Sequence, residues 1–80
     1  MRYVSVRVVN SDGRPARDAR VAIEVHAFLA GGVFAPQYTN SEGLAEFQLD
    51  VDQSAEITIY VNGNEKVQRG NIRADYKVTI

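Results

Sequence analysis

Apolar and polar residues alternate along most of this chain. In YVSVRVV at 3–9, Val4, Val6 and Val8 fall on one side and Ser5, Arg7 and Val9 on the other, the period of two that marks an extended strand. RVAIEVHAF at 20–28 groups Val21, Ile23, Val25 and Ala27 against Ala22, Glu24, His26 and Phe28. LAEFQLDV at 44–51 sets Ala45, Phe47, Leu49 and Val51 together, EITIYV at 56–61 sets Ile57, Ile59 and Val61, and IRADYKVTI at 72–80 sets Ile72, Ala74, Tyr76, Val78 and Ile80. Two stretches, 33–39 and 65–69, are shorter and less regular. Pro36 has no N–H to donate to a ladder, so 33–39 is an edge strand or an ordered loop. Nowhere does a helical spacing persist beyond one turn. The pattern predicts seven strands in a single all-β domain spanning residues 1–80, folded as an antiparallel β-sandwich.

The boundaries between strands repeat a tetrapeptide. NSDG at 10–13 and NSEG at 40–43 each end one alternating run and begin another, while their flanks do not align. A duplicated unit would carry its strands with it, so the shared element is turn chemistry. Asn can accept a hydrogen bond from its own backbone two residues on, and Gly13 or Gly43 supplies the positive φ that a side chain resists. Asn62-Gly63 is a third turn, the dipeptide most favoured in tight hairpins. Pro15 fixes its own φ and holds Arg14 extended, directing the chain toward a crossing to a second sheet.

DGRPARDARVAIEV at 12–25 resembles the opening of carboxypeptidase regulatory-like and transthyretin-like sandwich domains, in which a Gly-x-Pro turn leads into alternating valines. YTNSEGLAEFQL at 38–49 is similar to a second hallmark of that group and of bacterial Ig-like domains, a Thr-Asn-x-x-Gly turn followed by small-x-Phe-x-Leu. The resemblance implies a transthyretin-like or Ig-like sandwich and fits secretion. It implies little about activity, since such domains serve as stalks, connectors, adhesins and ligand binders. The urate-pathway hydrolase of the transthyretin-like group needs more than one His, an Arg and a C-terminal Tyr-Arg-Gly-Ser, whereas this chain has one His and ends DYKVTI. A small hydrolase is therefore disfavoured.

Composition narrows the partners. Nine basic and ten acidic side chains leave a net charge of −1, without the cationic field that draws proteins to nucleic acid or anionic lipid. Residues 1–20 hold five Arg and two Asp, 21–56 six acids and no base, and 57–80 four bases and two acids, so oppositely charged neighbouring strands are expected. The chain has no cysteine, which excludes disulfides and thiol chemistry. No signal-peptide core or membrane span occurs in it. The expected compartment is extracellular or cell envelope if the chain is an excised domain, and cytoplasmic if Met1 is the native start.

Candidate chemistry is sparse. His26 and Glu24 share one strand face, as a base oriented by a carboxylate would, yet a lone His on a strand is more often simply solvated. Asp50, Asp52 and Glu56 lack the ligand spacing of a dedicated Ca²⁺ loop, and Lys66 and Lys77 come too late for a pilin-type isopeptide, so no cofactor or metal is expected. AFLAGGVFAP at 27–36 stands apart: ten residues without charge, carrying Phe28, Leu29, Val33 and Phe34 around Gly31-Gly32. It either closes the end of the core as a lid or, extended by Tyr38, forms a contact surface for a protein partner or adjacent domain. The expected function is a non-catalytic module for protein interaction or spacing within a larger or cell-surface protein. The alternative is a carbohydrate-binding module, which needs coplanar exposed rings and has Tyr3, Tyr38 and Tyr60 as candidates.

Overall fold

The computed structural model describes residues 2–26, 32–33, 35–49 and 54–80. Its strands are β1 (Arg2–Val9), β2 (Arg20–His26), β3 (Gly32–Val33), β4 (Gln37–Tyr38), β5 (Leu44–Leu49), β6 (Glu56–Val61), β7 (Asn64–Asn71) and β8 (Asp75–Thr79). They form a three-stranded sheet, β5-β1-β8, and a larger one in which β6 joins β2 to β7, and β3 and β4 both pair with β2. β3 pairs with Glu24 and Val25, β4 with Arg20 and Val21, so the two lie in series along one edge. From Glu24 to Val21 is three residue steps on β2, while Val33 to Gln37 is four on the edge. One extra residue lies in the stretch between the two, which contains Pro36, a residue with no N–H to give a ladder. Taken as a single broken edge strand, β3 and β4 bring the total to the seven strands of an Ig-like sandwich.

In β1, β2, β5 and β6 the inward positions are those the alternation marks, whereas Ala74 and Ile80, expected inward in the last run, are exposed because Ala74 precedes β8 and Ile80 follows it. Val4, Val6 and Val8 from β1, with Phe47 and Leu49 from β5, face Val21, Ile23 and Val25 from β2 and Ile57, Ile59 and Val61 from β6. Burial of each such side chain contributes about 1.5–3 kcal/mol, which makes this layer the main source of stability. Tyr76 and Val78 complete it from β8. The Tyr76 hydroxyl donates to Asn71 O at 3.1 Å and accepts from Arg73 N at 2.9 Å. The Arg73 guanidinium lies 4.7 Å from the ring centroid. Tyr76 thereby ties the β7–β8 connection to the core.

Two details differ from the pattern-based expectation. The stretch 65–69, short and irregular in sequence, belongs to an eight-residue strand. Register shifts against β6 between Ile57 and Tyr60 break its alternation, so side-chain periodicity hides a ladder that the backbone nonetheless makes. In the other, β8 begins at Asp75 rather than Ile72, because Ile72 N donates to Ala55 O at 3.2 Å and stays in the connection. A further departure, from the expected antiparallel pairing, is one parallel ladder: β8 runs alongside β1 from Ser5↔Asp75 to Val9↔Thr79, since the chain crosses between sheets before β8 instead of reversing beside β1. All other named strand pairs are antiparallel.

The turns follow their sequences. Gly13, Gly43 and Gly63 all have positive φ, at 87°, 76° and 83°. Pro15 bridges Val9 and is followed by Ala16, whose N–H donates to Val8 O at 2.8 Å, before the chain crosses to β2 in the other sheet. Asn62, itself at φ 53°, accepts Arg20 N through Oδ1 at 2.9 Å, so the β6–β7 turn also caps the start of β2.

Candidate functional site

Of the apolar candidates, Phe28, Leu29 and Phe34 lie outside the described residues, as do Asp50 and Asp52. The Val33 backbone pairs with Glu24 at the sheet edge. Tyr38 stands on β4 opposite Arg20 and is 62% exposed, which places one large amphipathic ring on the open edge of the larger sheet.

The outer face of that sheet holds a polar network on β2 and β6. Pairing sets Ala22 beside Tyr60, Glu24 beside Thr58 and His26 beside Glu56. His26 Nε2 lies 2.7 Å from Thr58 Oγ1 and 3.8 Å from Glu24 Oε1, and the Tyr60 hydroxyl donates to Glu24 Oε1 at 3.1 Å. Arg69 Nε on β7 donates to Glu56 Oε1 at 2.7 Å. The hydrogen bond to Glu24, followed by partial desolvation and the charges of Glu24 and Glu65, raises the Tyr60 pKa above its ordinary value. His26 and Glu24 are thus neighbours, as their spacing implies, and Thr58 supplies a hydroxyl. That hydroxyl is buried and already bonded, so it offers no nucleophile to a substrate. The arrangement knits adjacent strands together.

The three candidate sugar-stacking rings are divided. Tyr38 and Tyr60 share the outer face of the larger sheet, on either side of β2. Tyr3 lies on the outer face of the smaller sheet, opposite Gln48, whose Nε2 donates to its hydroxyl at 2.7 Å. Lys66 and Lys77 are exposed on β7 and β8. Among the described residues no three His, Asp or Glu side chains converge as a metal site.

Thr39, quoted above only as part of the Thr-Asn-x-x-Gly motif, organises the crossing loop. Thr39 is buried, donates its hydroxyl to Ala16 O at 2.6 Å, and accepts Ala19 N at 2.9 Å on the same oxygen. Its backbone exchanges two further bonds of 3.0 Å, receiving Asp18 N and donating to Ala19 O. The available signal was its place directly before Asn40 in the YTNSEG motif. This clasp, the paired turns and the two-sheet core account for most of the described residues as scaffold.

The model of the macroglobulin domain MG4 family matches residues 3–78. The chain belongs to this family. MG4 domains are Ig-like β-sandwiches and non-catalytic modules, which agrees with the fold. Macroglobulin domains occur in extracellular proteins. No helix among the described residues is long and apolar enough to cross a membrane. The match supports the Ig-like part of the resemblance seen in the sequence and lends nothing to the narrower carboxypeptidase regulatory-like or transthyretin-like assignment. A search of curated proteins found no match to this MG4 domain.

Proposed function

We propose that this MG4 domain acts as an in-line spacer in an extracellular or cell-envelope protein, docking on a neighbouring domain or protein through its uncharged segment. The parallel β1–β8 ladder carries the spacer reading. Because both strands run the same way, Arg2 lies at the far end of β1 from Ile80, whose N–H donates to Val9 O at 2.9 Å. Whatever joins the two ends is held apart by the length of a strand, roughly 20–25 Å at about 3.3 Å per residue. Attaching a rigid reference domain at each end and measuring solution scattering tests this. An in-line module separates the references by at least a strand length, and references lying side by side would refute it.

The docking surface is the segment 28–38, with Phe28, Leu29, Val33, Phe34 and Tyr38 as its contact residues. It is supported by the absence of charge and by the exposure of Tyr38 on the open edge. Phe28→Ser, Phe34→Ser and Tyr38→Ser should each fold and lose capture of the neighbour. Unfolding of the two Phe variants, at about 3–5 kcal/mol for a buried Phe, would assign them to the core instead.

A further inference from the structure

The two ends of the chain do more than point apart. β1 is the central strand of its sheet, paired with β5 over six residue pairs from Arg2↔Leu49 to Arg7↔Leu44, and with β8 over five from Ser5↔Asp75 to Val9↔Thr79. Val4, Val6 and Val8 anchor it in the core. β8 is an edge strand whose named partner is β1 alone, anchored by Tyr76 and Val78. Tension drawn through both ends pulls β1 back along its own axis and β8 forward along the same axis. The hydrogen bonds between them lie across that direction, so the rungs are sheared together, along with the flanking bonds Ser5 N to Ala74 O at 2.8 Å and Ile80 N to Val9 O at 2.9 Å. Had β8 run antiparallel to β1, both ends would emerge on one side and the rungs would open one at a time. The β6–β7 hairpin, closed by Asn62-Gly63, has that weaker geometry, but load applied at Arg2 and Ile80 does not enter through it.

We infer that the β1–β8 ladder is a shear clamp and that the domain bears tension along the chain, resisting extension rather than only setting a distance. This rests on the in-line reading above. The chain has no cysteine, so introduced pairs give unique attachment points for single-molecule pulling. Tyr3→Cys with Ile80→Cys, both exposed positions, loads the ladder in shear. Ser11→Cys with Ile80→Cys loads the same ladder from one end, since Ile80 is bonded beside the 10–13 turn. Forced rupture follows the unfolding rate along the loaded direction, so the two pairs report different barriers in an otherwise identical fold. The shear pair should rupture at a force severalfold higher than the end-loaded pair. Equal forces, or a weaker shear pair, would overturn the clamp. Fluorescence energy transfer on the same two labelled proteins before loading separates the two ideas. A long 3–80 distance beside a short 11–80 distance upholds the in-line arrangement whatever the forces, whereas two short distances overturn both.

Discussion

At 10–13 and again at 40–43 the backbone closes the same three-residue loop. Asn10 N donates to Arg14 O at 2.8 Å and Gly13 N to Asn10 O at 2.9 Å; Asn40 N donates to Leu44 O and Gly43 N to Asn40 O, both at 2.9 Å. Each glycine takes the left-handed position that such loops favour. The surroundings then diverge. A Cβ built on Gly13 would meet open space, while one on Gly43 would come 2.5 Å from Val8 O and 3.2 Å from Ala16 N. Gly43 also accepts Val8 N on its carbonyl at 2.7 Å, so the second turn is packed onto β1 and the crossing loop. Side chains divide the work differently too. Asn40 Oδ1 accepts Glu42 N at 2.9 Å and Leu44 N at 3.1 Å, whereas in the first turn it is Asp12 Oδ1 that accepts Arg14 N at 3.0 Å. One local code therefore serves a solvent-facing reversal in one place and a buried junction between sheets in the other.

Substituting the glycines measures this contrast most directly. Gly13→Val should lose about 1 kcal/mol through backbone strain alone. Gly43→Val adds a backbone clash and displacement of the bond to Val8, so its loss should reach about 3 kcal/mol or more in denaturant melts. Equal losses would erase the distinction between the turns. Next comes the clasp beside the second turn: Thr39→Val strands Ala16 O and Ala19 N in a buried site, and urea titration should show a loss of about 2–3 kcal/mol. A near-neutral Thr39→Val would mean that the junction is less packed than its distances imply.

The asparagines should differ by less. Asn40→Ala removes two accepted bonds and should lower stability by about 1 kcal/mol, while Asn10→Ala should change it by no more than about half of that. Reversal of that order would place the essential side chain in the wrong turn. Remote from both turns, the Tyr60–Glu24 pair is a control. The raised Tyr60 pKa means that its stabilising contribution is complete below the ordinary value of about 10 and disappears as pH rises through the raised one. NMR titration should find the Tyr60 midpoint moved back toward its ordinary value in Glu24→Gln, with the melting behaviour of the glycine variants unaltered.

The inward sets of β1, β2, β5 and β6 and the turn glycines were readable because each depends on chemistry within a few residues: alternation selects a buried face, and positive φ selects glycine. Other features depend on contacts distant in sequence. The extent of β7 was obscured because its register shifts against β6 break the side-chain period while leaving backbone pairing intact. The charge blocks yield one described cross-strand ion pair, Arg69 with Glu56, between two late strands of the chain. Of the docking candidates, only Tyr38 has a described side chain, and its exposure agrees with either an edge or a contact. His26 and Glu24 could be placed together from spacing, but not the Thr58 and Tyr60 partners that occupy them from the neighbouring strand.

The chain's own order of residues is enough to establish an all-β sandwich with its core valines and isoleucines, its three glycine turns and a composition unsuited to nucleic acid, because local period and net charge need no partner to be read. Whether a turn is exposed or buried, and whether the last strand runs with or against the first, depends on how the two sheets close over one another. Alternation is the same for parallel and antiparallel strands, and NSDG and NSEG are nearly the same letters. The direction of β8 and the burial of Gly43 are settled by long-range hydrogen bonding and packing, and with them the separation of the two ends on which the proposed function stands.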